Sequence, residues 1–183
     1  MRGNEIIVTS NPRGVFVEGT VDGTPKPGTI MQLQAGTAID SEGRFTYEVF
    51  NQNVDGERPA GPLLVLLPDN LQGKTASDAY VDATRCFLYV PVAGEELNIL
   101  TKGSGTEDYT VGQKAVIDDS TGVLIGAPAF TADYATPGLD SEAEVIVAVN
   151  LLKNAPQTSP FIFLEAKTNL AADTPLHVMY SGY

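Results

Sequence analysis

The sequence predicts an all-β protein, a β-sandwich or β-barrel of short antiparallel strands with long loops and at most one short helix. Three observations carry this reading. The apolar runs are short and rich in Val, Ile, Leu, Phe and Tyr, and Gly, Pro, Asn and Asp bound them. The chain holds 18 Gly and 12 Pro in 183 residues, which implies many turns. The prolines flank the runs rather than interrupt them, as a ring that cannot donate a ladder bond requires.

Taken in order, strands are expected near residues 5–8, 15–21, 29–33, 44–50, 63–67, 85–90, 96–100, 114–118, 123–126, 144–152, 161–166 and 177–180. The first, Glu5-Ile6-Ile7-Val8, has strand propensity but meets the breaker Ser10-Asn11-Pro12-Arg13-Gly14 at once, so no hairpin partner adjoins it. It must pair with a distant strand of its own fold or add to a sheet edge on a neighbouring subunit. The second is the favoured expectation, because chain ends are ordered mainly when something ties them down.

Two later connections are hairpin turns with a mechanism. Asp40-Ser41-Glu42-Gly43 and Asp118-Asp119-Ser120-Thr121-Gly122 each put a glycine where a hairpin needs positive φ. The best helix candidate is 75–84, where Thr75 or Ser77 could cap a turn with Ala76, Ala79, Tyr80 and Ala83 on one face. Residues 52–61 and 130–141 read as surface loops. No repeat at a fixed period stands out.

The length suits one β-rich domain or two small ones with a shared core. The organisation expected is an N-terminal arm over 1–14 and one domain over 15–183, with 153–183 open as a C-terminal extension. No signal peptide is evident and no run reaches the ~18 apolar residues of a membrane span. Synthesis in the cytoplasm is expected, without membrane contact.

Charge and residue counts weigh against several classes of function. The formal net charge of −12 repels phosphate backbones, so nucleic acid is not an expected partner. Cys86 is the only cysteine, so no intrachain disulfide forms, and a small buried apolar residue is the reading for it. His177 is the only histidine and no Gly-x-Ser-x-Gly elbow accompanies it. One Cys and one His are too few for a zinc site built by the chain alone. Asp118, Asp119, Asp133 and Asp140 could offer oxygen to calcium, yet the calcium-loop pattern is absent and solvated hairpin tips are the better reading. Gly103-Ser104-Gly105 lacks the third glycine, the lysine and the helix of a phosphate loop.

Carboxylate pairs such as Glu95-Glu96 and Asp118-Asp119 point to opposite faces of a strand and cannot flank one sugar. Glu142 with Glu144 is the remaining pair of this kind. No catalytic residues, cofactor or metal site are therefore expected. A carbohydrate-binding module using Tyr80, Tyr109 and Tyr134 is the alternative from another class.

The order of turns and strands carries a resemblance. Pro27-Gly28-Thr29-Ile30-Met31 opens a strand, Ser41-Glu42-Gly43-Arg44-Phe45 makes a hairpin, and Val90-Pro91-Val92-Ala93-Gly94-Glu95-Glu96-Leu97 follows an apolar strand. Tyr109-Thr110-Val111-Gly112-Gln113-Lys114-Ala115 and Asp119-Ser120-Thr121-Gly122-Val123-Leu124 come next. Over residues 28–148 this resembles the small β-barrel head decoration, or cement, proteins of tailed bacteriophages. The resemblance implies a homo-oligomer, commonly a trimer, on the outer surface of a virion, where it binds the major capsid protein and stabilises the shell. A head-tail connector, tail or fibre component is the nearest other virion role. The residues expected to bind a partner are Glu5, Ile6, Ile7 and Val8.

Overall fold

The computed structural model describes residues 5–36, 39–50, 62–118, 121–126 and 160–182, and these form an all-β protein. Ten strands among them close into two five-stranded barrels. The first is built from β1 (Val15–Val21), β2 (Ile30–Leu33), β3 (Thr46–Val49), β4 (Leu64–Leu66) and β5 (Arg85–Val90), in the spatial order β1-β3-β2-β4-β5. The second uses β6 (Glu96–Thr101), β7 (Lys114–Ile117), β8 (Leu124–Gly126), β9 (Phe161–Phe163) and β10 (Thr174–Tyr180), in the order β6-β8-β7-β9-β10.

These two orders are the same order. Each barrel has one parallel pair, β1 with β3 and β6 with β8, and its other pairs are antiparallel. The registers also correspond around the whole circuit. Val21 faces Tyr47 as Thr101 faces Leu124, Leu33 faces Tyr47 as Ile117 faces Leu124, and Met31 faces Leu64 as Ala115 faces Phe161. Continuing the count, Leu66 faces Leu88 as Phe163 faces Val178, and Glu18 faces Phe87 as Asn98 faces His177. The chain is therefore a tandem structural repeat, although its sequence shows none.

Alternation of side chains explains the cores. The first barrel is filled by Val21, Met31, Tyr47, Leu64, Leu66, Cys86 and Leu88, with Tyr80 closing one end. Gly19 belongs to this design, because a Cβ there would run into the Tyr47 ring. The second barrel is filled by Leu97, Ile99, Ala115, Leu124, Phe161, Phe163, Leu176 and Val178. Ile30, Val65 and Tyr89, on the outside of the first barrel, join this second cluster. β4 is consequently buried on both faces, which is why Leu64-Val65-Leu66 is unbroken by a polar residue. Main-chain bonds cross the junction as well, from the Leu100 N–H to the Gly28 carbonyl (2.9 Å) and from the Ile30 N–H to that of Gly122 (2.8 Å). Gly122 has φ +63° and passes so close to the Ile30 carbonyl that any side chain would collide with it.

Both expected hairpin turns form. Gly43 (φ +81°) closes on Asp40, and the Gly122 N–H donates to Asp118 between β7 and β8. The helix expected over 75–84 does not form. The Asp78 carboxylate takes both the N–H and the hydroxyl of Thr75, closing a single turn, and Ala83 has φ +59°, which no α-helix accepts. Among the described residues only a 3-10 turn at Asn70–Gln72 is helical. The strand expected over 144–152 lies outside the described residues. Residues 160–182 supply β9 and β10 and are staves of the second barrel rather than an extension.

The opening run 5–8 finds its partner within the chain rather than on a neighbouring subunit. Ile7 bridges Leu97 in antiparallel sense, the Asn98 N–H donates to the Ile6 carbonyl (2.7 Å), and the Val8 N–H donates to the Glu96 carbonyl (2.9 Å). The reason is the flank of β6, which among the described residues pairs with its parallel neighbour β8 only at Thr101.

Candidate functional site

Among the described residues, an apolar groove of about 370 Å³ lies on the outside of the first barrel and could receive a partner. One wall is the opening run, with Glu5, Ile6 and Ile7. The other is β1 and β5, with Phe16 and Phe87, and the floor is Leu67, Pro68, Asn70 and Leu71 just after β4. Strand parity places the aromatic pair: Val17, Gly19 and Val21 turn inward, so Phe16 faces out, and Phe87 stands between inward Cys86 and Leu88. Phe16 is 60% exposed and leans on Tyr89, ring centres 5.0 Å apart. The Arg85 guanidinium lies 4.9 Å from the centre of the Phe87 ring.

Leu71 reaches the groove for a different reason. Buried Asp69 accepts the Leu71 N–H (3.1 Å), and the 3-10 turn that follows holds the leucine side chain outward at 78% exposure. Burying one phenylalanine or leucine is worth roughly 1.5–3 kcal/mol, so a partner that covers Phe16 and Leu71 gains substantially from this surface.

Of the four expected partner-binding residues, Glu5, Ile6 and Ile7 line the groove and Val8 does not. Ile6 is buried and supports the wall from behind. Phe16, Phe87 and Leu71 were not marked by sequence. Phe16 carried a usable signal, since it is a large apolar residue on the polar parity of an alternating strand.

The groove is held in place by a buried carboxylate. Glu95, 0% exposed, accepts the Tyr89 hydroxyl (2.7 Å), the Val92 N–H (2.8 Å) and the N–H groups of Arg13 and Gly14. Burial disfavours its charge, but these donors outweigh burial and hold its pKa below the usual value. The result ties the segment entering β1 to the turn that joins the barrels. Tyr89 is pushed up to about 12, by burial first and then by its bond to Glu95.

Other polar candidates are occupied by local structure. His177 Nε2 lies 3.0 Å from Glu96 Oε2 on the outer face of the second barrel. Asp118 accepts Lys102 Nζ (3.0 Å) and the Thr121 N–H. In Gly103-Ser104-Gly105 the amides of Gly103 and Ser104 are taken by Asp173 and Glu107, which leaves a carboxylate lining where a phosphate would need amides. Tyr80 and Tyr109 are 8% and 2% exposed and offer no stacking platform for a sugar. Glu95 is buried beside partly exposed Glu96, so those two carboxylates face apart. Cys86 is buried in the first barrel, and burial pushes its thiol up to about 12. Asp119, Asp133, Tyr134, Asp140, Glu142 and Glu144 lie outside the described residues. No helix among the described residues is long and apolar enough to cross a membrane.

Comparison with known proteins finds no matching family model and no matching curated protein.

Proposed function

We propose that this chain is a structural module of a virion that decorates the outer surface of a capsid, binds the major capsid protein and stabilises the shell. The observation that carries the reading is the outward groove at Phe16, Phe87 and Leu71, an apolar surface of the kind that marks a protein contact. It belongs to a pair of barrels joined through a shared core, and the polar candidates among the described residues are engaged in internal bonds. The acidic surface, with a net charge of −12, suits a protein that docks on other proteins and not on nucleic acid. The resemblance in turn order to phage head decoration proteins supplies the particular lattice.

Two measurements test it. Shells stripped of the protein should stay closed but burst at a lower temperature, whereas intact heads that cannot take up tails would assign the chain to the connector. The double variant Phe16→Ser, Leu71→Asp should cost no more than about 1.5 kcal/mol of stability, because Leu71 is exposed and the loss at Phe16 is its ring contact with Tyr89. It should weaken binding to stripped shells by at least ~30-fold, the scale of one interface hot spot. Undiminished binding would remove the groove from the contact.

A further inference from the structure

The end of β1 that carries Phe16 is the weakly tethered end. Among the described residues β5 pairs with β1 from Val15 to Thr20, whereas β3 pairs with it only at Thr20 and Val21, so β5 alone holds the main chain of Val15 to Val17. The chain before β1 has few anchors. Residues 6–9 bond to β6, Ser10 and Asn11 make no hydrogen bond among the described residues, and Arg13 and Gly14 give their N–H groups to the buried Glu95 carboxylate. The Gly14 N–H is shared with the Tyr89 hydroxyl oxygen (2.8 Å), and that hydroxyl in turn donates to Glu95 (2.7 Å). A Cβ on Gly14 would strike the Tyr89 ring, the same ring on which Phe16 rests with centres 5.0 Å apart. Glu95, Tyr89, Gly14 and Phe16 are thus one line of contacts from the turn that joins the barrels to the wall of the groove.

We infer that Glu95 is an acid-released latch on the groove: when it takes up a proton from solvent, residues 10–14 and the start of β1 come loose, Phe16 leaves the Tyr89 ring, and the groove loses one wall while the barrels stay folded. This deepens the groove reading by adding its regulation, and rests on that reading only for what is released.

Hydrogen-bond inventory gives the reason. Oε1 accepts the N–H groups of Arg13 and Gly14, and Oε2 accepts the Tyr89 hydroxyl and the Val92 N–H. A carboxylate suits four donors, but a carboxylic acid carries an O–H of its own, and on either oxygen that O–H would point at a main-chain N–H. One buried donor is then left without a partner, and the segment with the fewest other anchors, 10–14, is the one that gives way. The ionisable neighbours do not take over the role. The Arg13 guanidinium bonds to the Ala93 carbonyl (3.2 Å), Tyr89 is pushed up to about 12 and stays neutral, and Glu96 turns outward to His177 (3.0 Å). On β10 the Tyr180 N–H meets the main-chain carbonyl of Glu95 (2.8 Å), and the Tyr180 ring stacks on Phe161. Since the folded pKa of Glu95 is lowered, the latch is complete above the usual carboxylate range and opens as pH falls through the folded value. Asp40, Asp78 and Glu107 are also held low, by the Arg44 N–H, the Thr75 N–H and the Ser104 hydroxyl, but they sit on exposed turns away from this line.

The test is amide exchange and NMR on the isolated full chain between about pH 6 and about pH 3, each rate taken relative to its intrinsic value at that pH. The protection of Gly14 should fall by roughly tenfold or more across that window, the scale of one hydrogen bond lost to a charged group, and the contact between the Phe16 and Tyr89 rings should disappear with it. The Leu100 amide, bonded to Gly28 across the junction, should keep its protection. Glu95→Gln should show the loosened Gly14 already at neutral pH, with no further change on acidification. Tyr89→Phe keeps the ring but removes a donor that favours the charged carboxylate, so the Gly14 midpoint should move to higher pH. Asp40→Asn should leave that midpoint where it is. Loss of Gly14 and Leu100 protection together would make the event global unfolding and overturn the latch. So would a Gly14 that stays protected at about pH 3, or a midpoint that Tyr89→Phe does not raise. Because no shell is involved, failure here leaves the capsid reading to be judged by the stripped-shell experiment.

Discussion

The two barrels share strand order, parallel pair and register, and they differ most where they meet the outside. Phe16 and Phe87 of the first barrel correspond to Glu96 and His177 of the second. One scaffold position is therefore an apolar groove in one copy and a hydrogen-bonded polar pair in the other. Since the barrels need the same backbone at that point, folding alone does not require the aromatic pair. The contrast teaches that the groove is an added property of the first barrel. A similar contrast holds for the inward face of the junction, where Ile30 is buried and its counterpart Lys114 is exposed.

Much of the strand pattern was legible because it depends on local chemistry. Alternation and flanking breakers mark the short strands, and Gly43 and Gly122 mark their turns. The repeat was not legible, for two physical reasons. Cores conserve filled volume rather than residue identity. Gly19 under Tyr47 in one barrel becomes Ile99 beside Leu124 in the other, and Met31 against Leu64 becomes Ala115 against Phe161. The loops also differ in length, so equivalents such as Tyr47 and Leu124, or Leu66 and Phe163, have no common spacing. The groove was half legible. A run with strand propensity and no neighbour drew notice to Glu5, Ile6 and Ile7, while bringing Phe87 beside Phe16 needed the β1–β5 register, and Leu71 needed the Asp69 turn.

The largest expected effect tests whether the barrels are one unit. Phe163 lies in the cluster that spans the junction and stacks on Tyr109 at 4.9 Å, while its counterpart Leu66 fills the first barrel. Phe163→Ala should remove about 4 kcal/mol and Leu66→Ala about 3 kcal/mol. Denaturant unfolding should stay a single transition in both variants, because Ile30, Val65 and Tyr89 commit the first barrel to the second core. Two separated transitions would break the picture of a shared core.

A smaller effect is expected at Glu95, which anchors the approach to β1. Glu95→Gln keeps the shape but leaves an amide among four donors, so a loss of about 2 kcal/mol near neutral pH is expected. Because the folded pKa is lowered, the carboxylate's contribution is complete above its unfolded value and is lost as pH falls through the folded one. The difference between wild type and variant should therefore be constant above about pH 5 and shrink below about pH 4. Circular-dichroism melts across that window check it, and a gap that widens on acidification would reverse the assignment.

The smallest effect is expected at the polar pair that stands where the groove would be. Glu96 and His177 approach to 3.0 Å, but their side chains remain 46% and 30% exposed, so water competes for both and fixing them costs rotamer freedom. Glu96→Gln should change stability by no more than about 0.5 kcal/mol, and added salt should shrink even that difference. The Val8 N–H bonds to the Glu96 carbonyl and not to its side chain, so the covering strand on β6 should stay protected from exchange in the variant. A loss above about 1 kcal/mol would mean that the pair supports the second barrel as packing supports the first. The two surfaces would then differ in how they hold the fold, and the contrast that singles out the groove for binding would fail.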